Sequence, residues 1–200
     1  MQLPNGYNEI QGLATAEVYD PISNKWMMLS PMNKIRSDAC IAYHAGLVYI
    51  IGGFDGTEIL SSIEIYDPQT NQWTYGPSML VRRSGLRAVV HKGKIYAMGG
   101  YDGQDRLSSV ECLDPQRLLP GWKLVAPMMS QREDFATASM EDRIHAIGGY
   151  NDGDFTIREC ETYNPETNTW SPCAQLAEGL KGAAAITISN LPAGHSIPIR

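Results

Sequence analysis

Short apolar runs, each broken by a turn after about five residues, dominate this chain and return at a fixed interval. Residues 37–80 hold one such unit. Ala39-Cys40-Ile41-Ala42-Tyr43 is apolar and stops at the turn His44-Ala45-Gly46. Leu47-Val48-Tyr49-Ile50-Ile51 is β-branched and aromatic and ends at Gly52-Gly53. After a loop, Ser62-Ile63-Glu64-Ile65-Tyr66 alternates polar and apolar, as a half-buried strand does. Asp67-Pro68 turns the chain, because aspartate opens a turn and proline presets the next backbone angle. Gln72-Trp73-Thr74-Tyr75 follows as a fourth strand. The pattern predicts a four-stranded antiparallel meander.

The unit repeats. Gly52-Gly53-Phe54-Asp55-Gly56 returns as Gly99-Gly100-Tyr101-Asp102-Gly103 and as Gly148-Gly149-Tyr150-Asn151-Asp152-Gly153, 47 and 49 residues apart. Tyr19-Asp20-Pro21 returns at Tyr66, Leu113 and Tyr163, and tryptophan follows at Trp26, Trp73, Trp122 and Trp170. Four-stranded units at this period build a β-propeller, one blade per repeat of about 50 residues. First strands converge on the propeller axis and favour small residues. Ala39–Ala42, Leu86–Val90, Ala136–Ser139 and Gly182–Ala185 fit that place, whereas the tryptophans fall on the roomier outer strand. The glycine pairs read as close-approach packing devices between blades. No Gly-Lys-Ser/Thr follows any of them, so they are not phosphate loops.

These marks, together with Ser-x-Glu-x-Tyr-Asp-Pro, Pro-Met and a following arginine, resemble the kelch-like family over about residues 5–189. The resemblance implies an all-β kelch β-propeller of six blades, with about four present here in a partial or open form. It divides the chain into a half blade of two outer strands (1–30), blades at 31–80, 81–128 and 129–173, an inner strand at 178–189 and a tail at 190–200. In this family a carboxy-terminal strand completes the first blade, and Gly182–Ser189 looks like that strand. The missing blades are accordingly expected ahead of Met1. Six blades need about 290 residues. An open arc leaves an apolar inter-blade face and strand edges uncovered.

Two connection types share one face: the links entering each first strand and the loops after each glycine pair. Arg36, Arg83 and Arg132 each follow a methionine by four residues in the links, and Leu180 stands in the fourth copy. Phe54, Tyr101 and Tyr150 follow the glycines, with Arg106 and Phe155 five positions beyond Tyr101 and Tyr150. Guanidinium and aromatic groups together suit peptide recognition. The resemblance implies substrate-peptide contacts at Arg36, Arg83, Tyr101, Arg106, Arg132, Tyr150 and Phe155. The arginines have a second reading, as partners of a neighbouring blade's carboxylate, since Glu17, Glu64, Glu111 and Glu161 repeat as well.

Asp55, Glu58, Asp102, Asp105, Glu133, Asp134, Asp152 and Asp154 share that face, so it is not simply basic. A formal net charge of -6 argues against a nucleic-acid partner, no apolar run is long enough to span a bilayer, and the amino terminus lacks a signal-peptide pattern. Cytoplasmic placement is the expectation. Cys40, Cys112, Cys160 and Cys173 and the four histidines show no metal-ligand spacing.

The resemblance implies the substrate-recognition propeller of a cullin-RING ubiquitin ligase adaptor. It would hold a client protein or peptide, while BTB and BACK domains outside this sequence bind the cullin. No catalytic residue and no cofactor are needed. The family also includes actin-binding scaffolds, and some kelch propellers house a copper oxidase centre.

Overall fold

Each glycine pair ends a second strand, and the strands flanking it fold back on one another. The computed structural model describes residues 13–153 and 155–187, and these form fourteen strands and no helix. Strands β1 (Glu17–Asp20) and β2 (Lys25–Met28) form a two-stranded sheet, the half-blade. Three complete blades follow. The first is β3 (Cys40–His44), β4 (Leu47–Ile51), β5 (Ile63–Asp67) and β6 (Gln72–Tyr75). The second is β7 (Arg87–His91), β8 (Lys94–Met98), β9 (Val110–Leu113) and β10 (Trp122–Val125). The third is β11 (Ala136–Met140), β12 (Arg143–Ile147), β13 (Cys160–Asn164) and β14 (Thr169–Cys173). Within each sheet, strands pair antiparallel in chain order, as the alternation predicts.

The turn chemistry works as its residue types require. The Asp67 carboxylate accepts from the Gln69 amide at 2.8 Å, and Asp20 and Asn164 do the same two residues on. Asn71 closes its turn with a left-handed backbone, φ 52°. Its side-chain oxygen accepts from the Tyr66 hydroxyl at 2.9 Å and from the Ser30 amide at 3.1 Å. Replacing Asn71 by alanine removes both bonds and leaves a Cβ residue in the left-handed region. The expected loss is about 1–2 kcal/mol in chemical denaturation, with Asn71→Gly milder because glycine tolerates the angle.

Blades pack side by side through their first strands, β3 beside β7 and β7 beside β11. A ladder of backbone bonds marks the inner ring. Gly85 N–H donates to Asp38 O at 2.9 Å, Asp134 N–H to Gly85 O at 3.1 Å and Gly182 N–H to Asp134 O at 2.8 Å. Between the first and second complete blades, Tyr49, Ile51, Ile63, Leu86, Ile95, Leu113 and Trp122 form one core. Tyr96, Met98, Val110, Phe135, Ile144 and Tyr163 form the next. The glycine pair earns its place at these seams: a Cβ on Gly99 would collide with Arg132 O of the next blade, and one on Gly100 would sit 2.5 Å from Ser84 O.

Outer strands are tied by the tryptophans. The indole N–H of Trp73 donates to Ser30 O at 2.7 Å, that of Trp122 to Pro77 O at 2.8 Å and that of Trp170 to Ala126 O at 2.9 Å. Each acceptor lies in the link arriving from the preceding blade.

Residues 180–187 run beside the third complete blade in the place of a further first strand. Gly149 N–H donates to Leu180 O at 2.7 Å, and the Thr187 hydroxyl donates to Ser139 O at 2.6 Å. No strand is formed there among the described residues, because nothing described backs the segment with a second strand. Residues 188–189, the tail 190–200 and Gly6-Tyr7-Asn8 lie outside the described residues. Tyr43 at one end of the arc is 67% exposed and Ile186 at the other is 84% exposed. Among the described residues, the two ends do not cover each other.

Candidate functional site

The entering links and the loops after the glycine pairs do meet on one face. Ser37 pairs with Phe54, Ser84 with Tyr101 and Glu133 with Tyr150 as isolated antiparallel bridges. Each loop then folds onto itself, Phe54 with Ile59, Tyr101 with Arg106 and Tyr150 with Thr156. Here the structure changes one equivalence. The residue inserted in the third loop puts Thr156, not Phe155, in the place of Arg106. Phe155 O instead accepts from Asn151 N–H, as Asp105 O does from Asp102 N–H, and its ring is 72% exposed.

Arg36, Arg83 and Arg132 are placed differently from the peptide-contacting expectation. All three are buried. Arg83 shows the arrangement: its guanidinium pairs with Glu111 at 3.0 Å and donates to Gly99 O and Ser109 O at 2.9 Å each. Arg36 does the same with Glu64, Gly52 O and Ser62 O, and Arg132 with Glu161, Gly148 O and Glu159 O. The glutamates also accept link amides: Glu111 takes Leu80 N–H at 2.7 Å and Val81 N–H at 3.0 Å. Each pair therefore closes the entering link onto the third strand of its own blade, not onto a neighbouring blade. Burial lowers the Arg83 guanidinium from its ordinary value, while the adjacent Glu111 carboxylate pulls it back up. A buried charge satisfied on every side is a fold element. These three arginines present no guanidinium to the mouth.

What remains exposed there is a polar cleft of about 550 Å³ between the second and third complete blades. Tyr101, Gln104, Asp105 and Arg106 line one side, and Glu133, Tyr150 and Asp152 the other. Arg106 bridges the blades. It pairs with Glu133 at 3.0 Å and Asp152 at 3.5 Å, and its guanidinium carbon lies 4.2 Å from the Tyr150 ring centroid. The Lys181 ammonium stands 5.3 Å from the same ring. Burial opposes the Arg106 charge, but hydrogen bonds to Tyr150 and Glu133 overcome it and hold the guanidinium above its ordinary value. Burial likewise raises the Tyr150 phenol. Of the residues expected from the sequence, Tyr101, Arg106 and Tyr150 come together. Gln104 and Lys181 were not expected, since the residue type at neither position repeats from unit to unit.

A larger cleft, about 630 Å³, is apolar and lined by Val18, Leu29, Ile41, Tyr43, Val48, Tyr66 and Pro68. Its counterpart two blades on shows its origin. There, Tyr96 of a second strand packs edge-on to Tyr163, the equivalent of Tyr66, with centroids 5.9 Å apart. The described half-blade has no second strand to insert at Tyr66. Among the described residues, this cleft is an uncovered blade seam. Among the described residues, no group of three or more His, Cys, Asp or Glu is placed to hold a metal ion.

Comparison with known proteins decides the family. A model of the kelch motif matches residues 6–33, 35–80, 82–129 and 131–177. The chain belongs to the kelch-repeat family. Its relatives are kelch-like proteins. It is 36% identical over 81 residues to kelch-like protein 36 of Rattus norvegicus, covering 39% of this chain and 13% of that protein. It is 30% identical over 82 residues to kelch-like protein 13 of Mus musculus, covering 40% and 12%. The matched stretch is thus a small part of each relative's length. Among solved structures, one titled "Structure of YjhT" superposes with a TM-score of 0.73 over 90% of this chain and 70% of that one, at 16% identity. At that identity the likeness is one of fold. The kelch repeats make this chain a protein-interaction propeller.

Proposed function

We propose that the chain is the client-holding part of a cullin-RING ubiquitin ligase adaptor acting in the cytoplasm, and that the client segment docks in the cleft of Tyr101, Arg106 and Tyr150. The observation that supports this most is the bridge made by Arg106 across two blades. It fixes an aromatic and charged surface at the mouth, with groups of the kind that dominate peptide interfaces. Ligase chemistry belongs to partner subunits, so the propeller needs only to hold and orient. Cullin attachment belongs to the BTB and BACK domains of the family.

The cleft also has a sign. Asp105, Glu133 and Asp152, three carboxylates, stand against two cations, the Arg106 guanidinium and the Lys181 ammonium beside Tyr150. A client segment that fits offers ammonium, guanidinium or amide donors rather than carboxylates. Selection from a displayed random-peptide library tests this directly. Peptides enriched in Lys and Arg are expected, and Tyr150→Ala weakens them about tenfold or more, equivalent to about 1.4 kcal/mol. Lys123→Ala, on β10 away from the cleft, leaves them unchanged. Selected peptides that bind Tyr150→Ala as tightly as the parent chain would overturn the assignment. Pelleting of the chain with actin filaments, unaffected by Tyr150→Ala, would point to the scaffold role instead.

A further inference from the structure

The junction of third and fourth strands has one register in all four units, and that register exposes a difference. The residue just before the repeated glutamate faces the residue three past the repeated tryptophan. Ala16 faces Leu29 in the half-blade, Ile63 faces Gly76 in the first complete blade and Val110 faces Val125 in the second. In the third, Cys160 faces Cys173. Three units fill the position with hydrocarbon or glycine; one fills it with two thiols.

The spacing suits a bond between them. Leu29 N–H donates to Ala16 O at 2.9 Å and Gly76 N–H to Ile63 O at 3.2 Å, so this is the hydrogen-bonded register of an antiparallel pair. Facing Cα atoms there lie about 5.5 Å apart, within the ~4.4–6.8 Å that a disulfide spans. Both cysteines are free thiols. Cys160 is buried, with its Sγ 3.7 Å from Arg158 O. Cys173 is partly exposed on β14, the edge strand of its sheet. Burial, and then the Cys160 thiol beside it, raise the Cys173 thiol above its ordinary value. Cys40 and Cys112 lie in other blades.

We propose that Cys160 and Cys173 are a modification site that closes to a reversible disulfide, with a low-molecular-weight disulfide such as oxidised glutathione as the oxidant. The exposed Cys173 reacts first. Its thiolate attacks one sulfur of the oxidant, whose S–S bond breaks and releases one thiol. The Cys160 thiolate then attacks the Cys173 sulfur of the mixed disulfide and releases the second thiol. Two electrons pass from the cysteines to the oxidant, and the two cysteine protons end on the two departing thiols. The product staples β14 to β13 next to Glu161, the carboxylate that holds Arg132 and the Met129 and Ser130 amides. The bond is open to reduction again through the partly exposed Cys173 sulfur.

The test incubates the folded chain with oxidised and reduced glutathione in graded ratio, followed by alkylation and mass spectrometry. Expected is the loss of two alkylatable thiols and of the mass of two hydrogen atoms. A linked peptide pair should contain Cys160 and Cys173, and excess reduced glutathione should reverse the change. Cys160→Val, which copies Val110, should instead hold a lasting glutathione adduct on Cys173. The double variant Cys160→Val/Cys173→Val reproduces the pair of the second blade, should fold, and should be inert. The proposal is overturned if the parent chain keeps an unresolved adduct on Cys173, if all four thiols survive every ratio, or if the bond found involves Cys40 or Cys112.

Discussion

Replacing Glu111 by alanine is expected to destabilise the chain by about 3–5 kcal/mol, because it leaves the Arg83 guanidinium buried without its counter-charge. Arg83 and Glu111 side chains are both fully buried, and the carboxylate also accepts the Leu80 and Val81 amides. Truncation therefore strands one cation and two backbone donors together. Removing both charges is different in kind. Arg83→Met with Glu111→Leu leaves no buried ion, and should recover a large part of the loss, though not the share owed to the two amides. Urea denaturation of the parent, Arg83→Met, Glu111→Leu and the double variant yields the coupling directly. A Glu111→Ala chain within about 1 kcal/mol of the parent would show that the pair is not a fold element.

Trp122→Ala should cost a comparable amount, about 3–5 kcal/mol, and Trp26→Ala less than about 1 kcal/mol. The two tryptophans hold the same place in the repeat. Trp122 is buried in the core between the first and second complete blades, with its indole N–H on Pro77 O. Trp26 stands in the half-blade, where no described blade precedes it, and is 50% exposed. Thermal melts of the two variants separate packing between blades from any intrinsic preference of the strand for tryptophan. Equal losses at both positions would contradict the inter-blade role assigned to Trp122.

Much of this architecture is legible in the sequence because the period constrains every unit at once. A strand that would be ambiguous alone is fixed by its copies, so the four strands of residues 37–80 and the outer position of the tryptophans follow from pattern. The arginines resist such a reading. Arg83 meets Glu111 across 28 residues, and repetition in step is equally compatible with a repeated lock and a repeated docking rim. Only burial separates them. The third loop hides a different trap. Counting five positions from Tyr150 reaches Phe155, whereas the inserted residue moves the bridge to Thr156. The facing of Cys160 and Cys173 depends on strand register, which no metal-type cysteine spacing encodes.

The cleft assignment rests on which loops a client touches. Amide hydrogen exchange on the chain, with and without a peptide selected for binding it, reads this most directly. Protection is predicted in the loops holding Tyr101–Arg106 and Tyr150–Thr156, with the turns at His44–Leu47, His91–Lys94 and Met140–Arg143 on the opposite face unchanged. Protection confined to those turns, or to the apolar seam around Tyr43 and Tyr66, would contradict the account.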